Sequence, residues 1–151
     1  MKLFAEEDVA LSADRTWSEI ARFEAYEALL AERGAVLVRT PADGTGLGTQ
    51  WAGEYPINAR ATPVSAEIVR CDPPQALTLD LAGGGLGGAL EVGVAALSAD
   101  TCRVSVSLTF EARSLPGRLL LQPMKLGHAK LEQRLADRLA HLARGLEAKA
   151  G

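Results

Sequence analysis

Between Ala76 and Glu111 the sequence alternates apolar and polar residues at a period of two, and this limits the fold more than any other feature. Leu77, Leu79 and Leu81 form one face of a first run. Leu90, Val92, Val94 and Ala96 form one face of a second, and Val104, Val106, Leu108 and Phe110 one face of a third, with Arg103, Ser105, Ser107, Thr109 and Glu111 opposite. Glycines 83 to 88 read as a loose hairpin loop between the first two runs. Short alternating runs divided by turn signals predict an antiparallel meander, apolar on one face only.

Three further strands are expected upstream: Ala35 to Thr40, Thr49 to Tyr55 after the turn Asp43–Gly48, and Arg60 to Cys71, stopped by Asp72-Pro73-Pro74. The opening segment Lys2 to Leu11 alternates as well and reads as the first strand. Ser12 offers an N-cap to a short helix containing Thr16 and Trp17, and a second short helix, Phe23 to Arg33, stops at Gly34. At the other end Leu131, Leu135, Leu139, Leu142 and Leu146 step by three or four, a stripe on one helical face. Pro123 suits the first turn of that helix, with Pro116–Leu121 as a separate turn; the alternative is one long helix that kinks at Pro123. A helix of about 26 residues spans roughly 39 Å, enough to cross the apolar face of the sheet. Small residues at Gly53, Ala89, Gly93, Ala95, Ala96, Gly127 and Ala129 suggest that the two surfaces do not meet everywhere. The fold class expected is α+β: a curved antiparallel sheet of about seven strands wrapped around a long C-terminal helix, in one domain over residues 1–151.

Several function classes are set aside by composition. The net charge of −3 lacks the basic footprint of a nucleic-acid binder. No apolar run reaches the ~18 residues of a membrane span, and acids stand where a signal peptide would be apolar. Cys71 and Cys102 then read as reduced thiols in a cytoplasmic protein. The spacing of two cysteines and two histidines fits no metal site, and neither glycine run is a P-loop, so no cofactor is expected. Residues 113–151 carry eight basic and three acidic side chains, against eight and sixteen in residues 1–112. That basic face could meet anionic headgroups, but a solvated role is favoured and membrane contact is not expected. A homodimer through a free sheet edge stays open.

The candidate site lies between sheet and helix. His128 shares the stripe of Met124, Leu131, Leu135 and Leu139, where a neutral imidazole could anchor or protonate a carbonyl-bearing ligand, or simply hold a backbone carbonyl. Trp51 and Tyr55 share a strand face with Gly53; facing inward, they supply an apolar wall and a hydroxyl. With Val92, Val94, Val106 and Leu108 these residues make up the expected ligand-binding set, and His128 and Tyr55 are the catalytic candidates. Asp80 and Glu91 oppose the apolar faces and are expected in solvent.

The chain resembles the START-like or SRPBCC superfamily, in particular its polyketide cyclase/dehydrase and lipid-transport-like branch. The strings that carry the resemblance are Ser12-Ala-Asp-Arg-Thr-Trp17 after the first strand, Gly46-Leu-Gly-Thr-Gln-Trp51, Val69-Arg-Cys-Asp-Pro-Pro-Gln-Ala-Leu77 and Leu115-Pro-Gly-Arg-Leu119. The resemblance implies a helix-grip fold with an internal cavity, and it implies no particular reaction. The leading expectation is binding or transport of a small hydrophobic molecule, lipid-like, polyketide-like or aromatic. A cyclase or dehydratase using His128 and Tyr55 is the alternative, and a non-catalytic protein-interaction module is a third.

Overall fold

The computed structural model describes residues 1–150 as seven strands and four helices. The strands are β1 (Lys2–Val9), β2 (Val36–Thr40), β3 (Gln50–Ile57), β4 (Arg60–Asp72), β5 (Ala76–Gly83), β6 (Leu86–Ala96) and β7 (Cys102–Ala112). The helices are α1 (Ala13–Ile20), α2 (Phe23–Glu32), α3 (Leu115–Leu126) and α4 (His128–Ala150). All strands form one antiparallel sheet in the order β1-β7-β6-β5-β4-β3-β2. The meander therefore runs unbroken from β2 to β7, while α1 and α2 carry the chain from one edge of the sheet to the other.

The pairing register stacks the alternating faces as their pattern demands. Leu77 lies opposite Val92 and Val92 opposite Val106; Leu79, Leu90 and Leu108 form the next row. A slip of one residue would turn each of these rows into water. In β4 the register shifts between Ile68 and Arg70. This bulge lets Val69 face outward while Ile68 and Cys71 both stay in phase with the apolar face. Ile68 is 0% exposed, so its truncation to alanine is expected to cost about 3 kcal/mol.

Turns close the hairpins tightly. Gly84 and Gly85 have φ of +61° and +79°, with Gly83 paired to Leu86. The loose loop expected at 83–88 is instead a two-residue turn, because two adjacent residues with positive φ match the twist of the flanking strands. Ser12 caps α1 by accepting from the Arg15 amide at 3.2 Å, and Ser114 caps α3 through the Gly117 amide, also at 3.2 Å.

The C-terminal region departs from expectation. Pro123 does not open the long helix; it sits inside α3, and the chain breaks at Gly127 before α4 begins at His128. Proline at 123 removes only the hydrogen bond to the Leu119 carbonyl, and Leu119 lies on an exposed face where water reaches it. In place of a short turn and one long helix, the segment forms a 12-residue and a 23-residue helix, with Gly127 at the joint between them. The small strand residues also fall differently. Ala89, Gly93 and Ala95 pair with Asp80, Ala76 and Arg103 on the outer face. Gly53, Ala66, Gly83 and Gly88 lie on the inner face, by their register with Val64, Leu81 and Phe110, and so do Ala5 opposite Val106 and the expected Ala96 opposite Cys102.

α4 also seals one sheet edge. Along β1 the outward carbonyl of Lys2 meets His128 Nε2 at 2.7 Å, and the Phe4 amide donates to Glu132 at 3.0 Å. The Asp8 carbonyl accepts from Arg144 and the Ala10 amide donates to Glu147, both at 2.7 Å. An edge whose backbone groups are taken by side chains is closed to another strand. Only the β2 edge is left for the pairing that a homodimer would use.

Candidate ligand cleft between the sheet and the C-terminal helices

Burial changes along the inner face of the sheet. In the half beside α1 and α2, Trp51, Ile68, Leu77, Val94 and Val104 are buried in one cluster with Leu139, Ala143 and Leu146 of α4. In the half toward α3 the same apolar pattern continues, yet Tyr55, Val64, Leu81, Leu90, Leu108 and Phe110 are only half-buried. The helical side chains opposite them, Leu120 and Met124 of α3 and Leu131 and Leu135 of α4, are half-buried as well. Side chains that point inward and remain partly accessible make this half of the grip the candidate cleft.

The floor of this cleft is a polar latch under an aromatic pair. Trp51 meets Phe23 edge to face, with centroids 5.2 Å apart and ring planes at 84°. Its Nε1 donates to Glu27 at 3.2 Å. Arg39, which shares the inner face with Leu37, reaches both Glu24 and Glu27 at 3.2 Å and donates to the Gly44 carbonyl at 2.9 Å. The Arg39 side chain is 8% exposed, so its charge depends on those carboxylates. α2 is thereby pinned onto β2 and β3. Gly53 is required at the same place, since a Cβ there would fall on the Val36 carbonyl oxygen.

The roof is α3, seated on the β5–β6 hairpin. Gly117 packs directly on the Gly85 backbone, where a side-chain carbon on Gly117 would overlap the Gly85 carbonyl. Leu120 Cδ1 and Ile57 Cδ1 lie beside Gly84 at the tip of the same hairpin. At its flank, α3 and the end of β7 frame a depression of about 430 Å³ lined by Phe110, Arg118, Leu121, Gln122 and Lys125 among others.

The expected site residues divide into three groups. Tyr55, Leu108, Met124 and Leu131 are half-buried; Val92, Val106 and Leu135 are half-buried and packed against the core; Trp51 and Val94 are buried within it. His128 stands apart. It is in phase with the leucine stripe, but as the first residue of α4 it meets the β1 edge, 43% exposed, with Nε2 on the Lys2 carbonyl and 3.9 Å from Glu132. β1 and β3 are five strand steps apart in the sheet order, roughly 24 Å along the sheet. His128 and Tyr55 do not converge. Asp80 and Glu91 are exposed on the outer face.

Both cysteines are free. The Cys102 thiol, buried, donates to Thr16 Oγ1 at 3.2 Å. Burial, helped by the neighbouring Asp72, pushes the Cys71 thiol above its ordinary range. Among the described residues no cluster of His, Cys, Asp and Glu could hold a metal ion.

The architecture is a helix-grip fold, and solved structures share it over three quarters of the chain or more. A norcoclaurine synthase point mutant from Thalictrum flavum, in complex with a transition-state analogue, is 16% identical with a TM-score of 0.63, covering 96% of this chain and 94% of its own. A START superfamily protein from Mycobacterium smegmatis is 22% identical with a TM-score of 0.60, covering 98% and 95%. The Zhui aromatase/cyclase from a Streptomyces species is 13% identical with a TM-score of 0.58, covering 76% and 69%. No protein-family model and no curated protein sequence matches.

Proposed function

We propose that this chain, as one START-like domain, binds a small, mainly apolar molecule in the cleft bounded by Tyr55, Leu90, Leu108, Phe110, Met124 and Leu135. The observation that carries the reading is the change of burial along one continuous apolar face, packed beside α1 and α2 and half-open beneath α3. Apolar walls with one hydroxyl, that of Tyr55, are the make-up of a pocket that holds a hydrophobic ligand and orients it by few polar contacts. A norcoclaurine synthase of similar fold is in complex with dopamine and hydroxybenzaldehyde, which supports an aromatic occupant. Binding is favoured over acid–base catalysis because the His128 Nε2 is engaged by Lys2 and stands far along the sheet from Tyr55.

A fluorescent apolar probe tests this. It should bind saturably, and Leu90→Trp, which places an indole in the cleft, should weaken binding at least about tenfold through lost volume. A probe that does not saturate, or one indifferent to Leu90→Trp in a folded variant, overturns the reading.

A further inference from the structure

α3 is apolar on two opposite sides. Gly117, Leu120, Leu121 and Met124 turn toward the sheet, whereas at about 100° per residue Leu115, Leu119 and Leu126 fall within roughly 40° of one another on the far side. Those three leucines are 69%, 62% and 91% exposed. A surface helix ordinarily presents polar residues outward, so this outer stripe lacks the partner that would remove it from water.

Charge says what that partner is. Arg118 and Lys125 flank the stripe and, with Gln122, line the depression of about 430 Å³ beside it. The one carboxylate in its lining, Glu111, is held by Arg113 at 3.1 Å. From Arg113 to Lys130 the chain carries four basic residues, Arg113, Arg118, Lys125 and Lys130, and no acidic one, in a protein of net charge −3. The sequence alone leaves these cations as a solvated face; their position beside aligned, exposed leucines changes that reading.

We propose that α3 docks on an anionic lipid bilayer. Leu115, Leu119 and Leu126 enter the boundary between headgroups and acyl chains, while Arg118 and Lys125 lay their stems along it and reach lipid phosphates. The contact is peripheral, since no helix among the described residues is long and apolar enough to cross a membrane. Leu120 and Met124 lie on the cleft side of the same helix, so docking sets the roof of the cleft against the bilayer. The surface stands independently of what the cleft holds.

Vesicle flotation of the full chain tests the proposal. The protein should float with vesicles of phosphatidylcholine mixed with phosphatidylglycerol, more weakly with phosphatidylcholine alone, and less as salt is raised. Leu119→Asp with Leu126→Asp, and separately Arg118→Gln with Lys125→Gln, should each reduce binding to mixed vesicles at least about tenfold. Their melting temperatures should stay near that of the parent, because these side chains are exposed. Leu90→Trp should float like the parent, which separates this surface from the cleft. No flotation with mixed vesicles, or flotation that both double variants retain, overturns the proposal. So does a dimer in solution that Leu126→Asp converts to monomer without any vesicle binding, which would assign the stripe to a second copy of the chain.

Discussion

Trp51 and Glu27 are joined by a 3.2 Å hydrogen bond from the indole N–H to the carboxylate, and this bond ties the inner face of β3 to α2. Glu27 also receives Arg39, so one side chain serves two buried donors at the floor of the cleft. On the α1–α2 side of this latch the grip is packed; toward α3 it is half-open.

Removing the shared acceptor should therefore cost more than an ordinary surface carboxylate. Glu27→Ala leaves the indole N–H without its partner and Arg39 with Glu24 and Gly44 alone, and is expected to lower stability by about 2 to 3 kcal/mol. Glu27→Gln keeps an acceptor for the indole and should lose about half as much. Urea unfolding midpoints with an unchanged slope measure both; a loss under about 0.5 kcal/mol for Glu27→Ala contradicts the role given to the latch.

The seat of α3 is tested at Gly117. Its contact with the Gly85 backbone leaves no room for a methyl group, so Gly117→Ala must lift the roof. A loss of about 1 to 3 kcal/mol is expected from the overpacking, together with weaker probe binding. Unchanged stability and affinity would show that the roof does not depend on this contact.

His128 makes the opposite case. Its hydrogen bond to Lys2 is half-exposed and belongs to the cover of the β1 edge. His128→Ala should lower stability by about 0.5 to 1 kcal/mol and leave probe affinity within about twofold. A large loss of affinity with stability intact would return His128 to the ligand.

Tyr26 predicts an alkaline limb. Burial, aided by the charge of Glu19, raises its phenol above the ordinary 10.0. Ionisation is then harder in the folded chain than in the unfolded one, so the stabilising contribution is complete below the unfolded value and is lost as pH rises through the folded value. The stability difference between the parent and Tyr26→Phe should be flat from neutral pH to about 10 and then move against the parent. A difference that stays flat throughout contradicts the shift.

Much of the sheet is legible in the chain because period-two alternation fixes a face without knowledge of neighbours. The rows Leu79–Leu90–Leu108 and Leu77–Val92–Val106 follow from it directly, as does the outward placing of Asp80 and Glu91. What escapes is whatever depends on a distant partner. Ile68 and Val69 are both apolar, so the bulge that sends one in and the other out has no local sign. Arg39 carries no local sign of burial, because its counterions Glu24 and Glu27 come from α2. The stripe expected to join Met124 to His128 is interrupted at Gly127, and helical phase does not reveal that the first turn of α4 rests on the β1 edge. Pro123 reads equally as a helix start or a kink, and the structure places it inside α3 with the break at Gly127.

Native mass spectrometry of the purified protein after incubation with a set of small aromatic and acyl compounds tests the central claim most directly. The account predicts one retained molecule per chain for at least one apolar compound, and none for the Leu90→Trp variant under the same conditions. A parent protein that retains nothing from the set, or a variant that retains as much as the parent, would contradict a ligand cleft beneath α3.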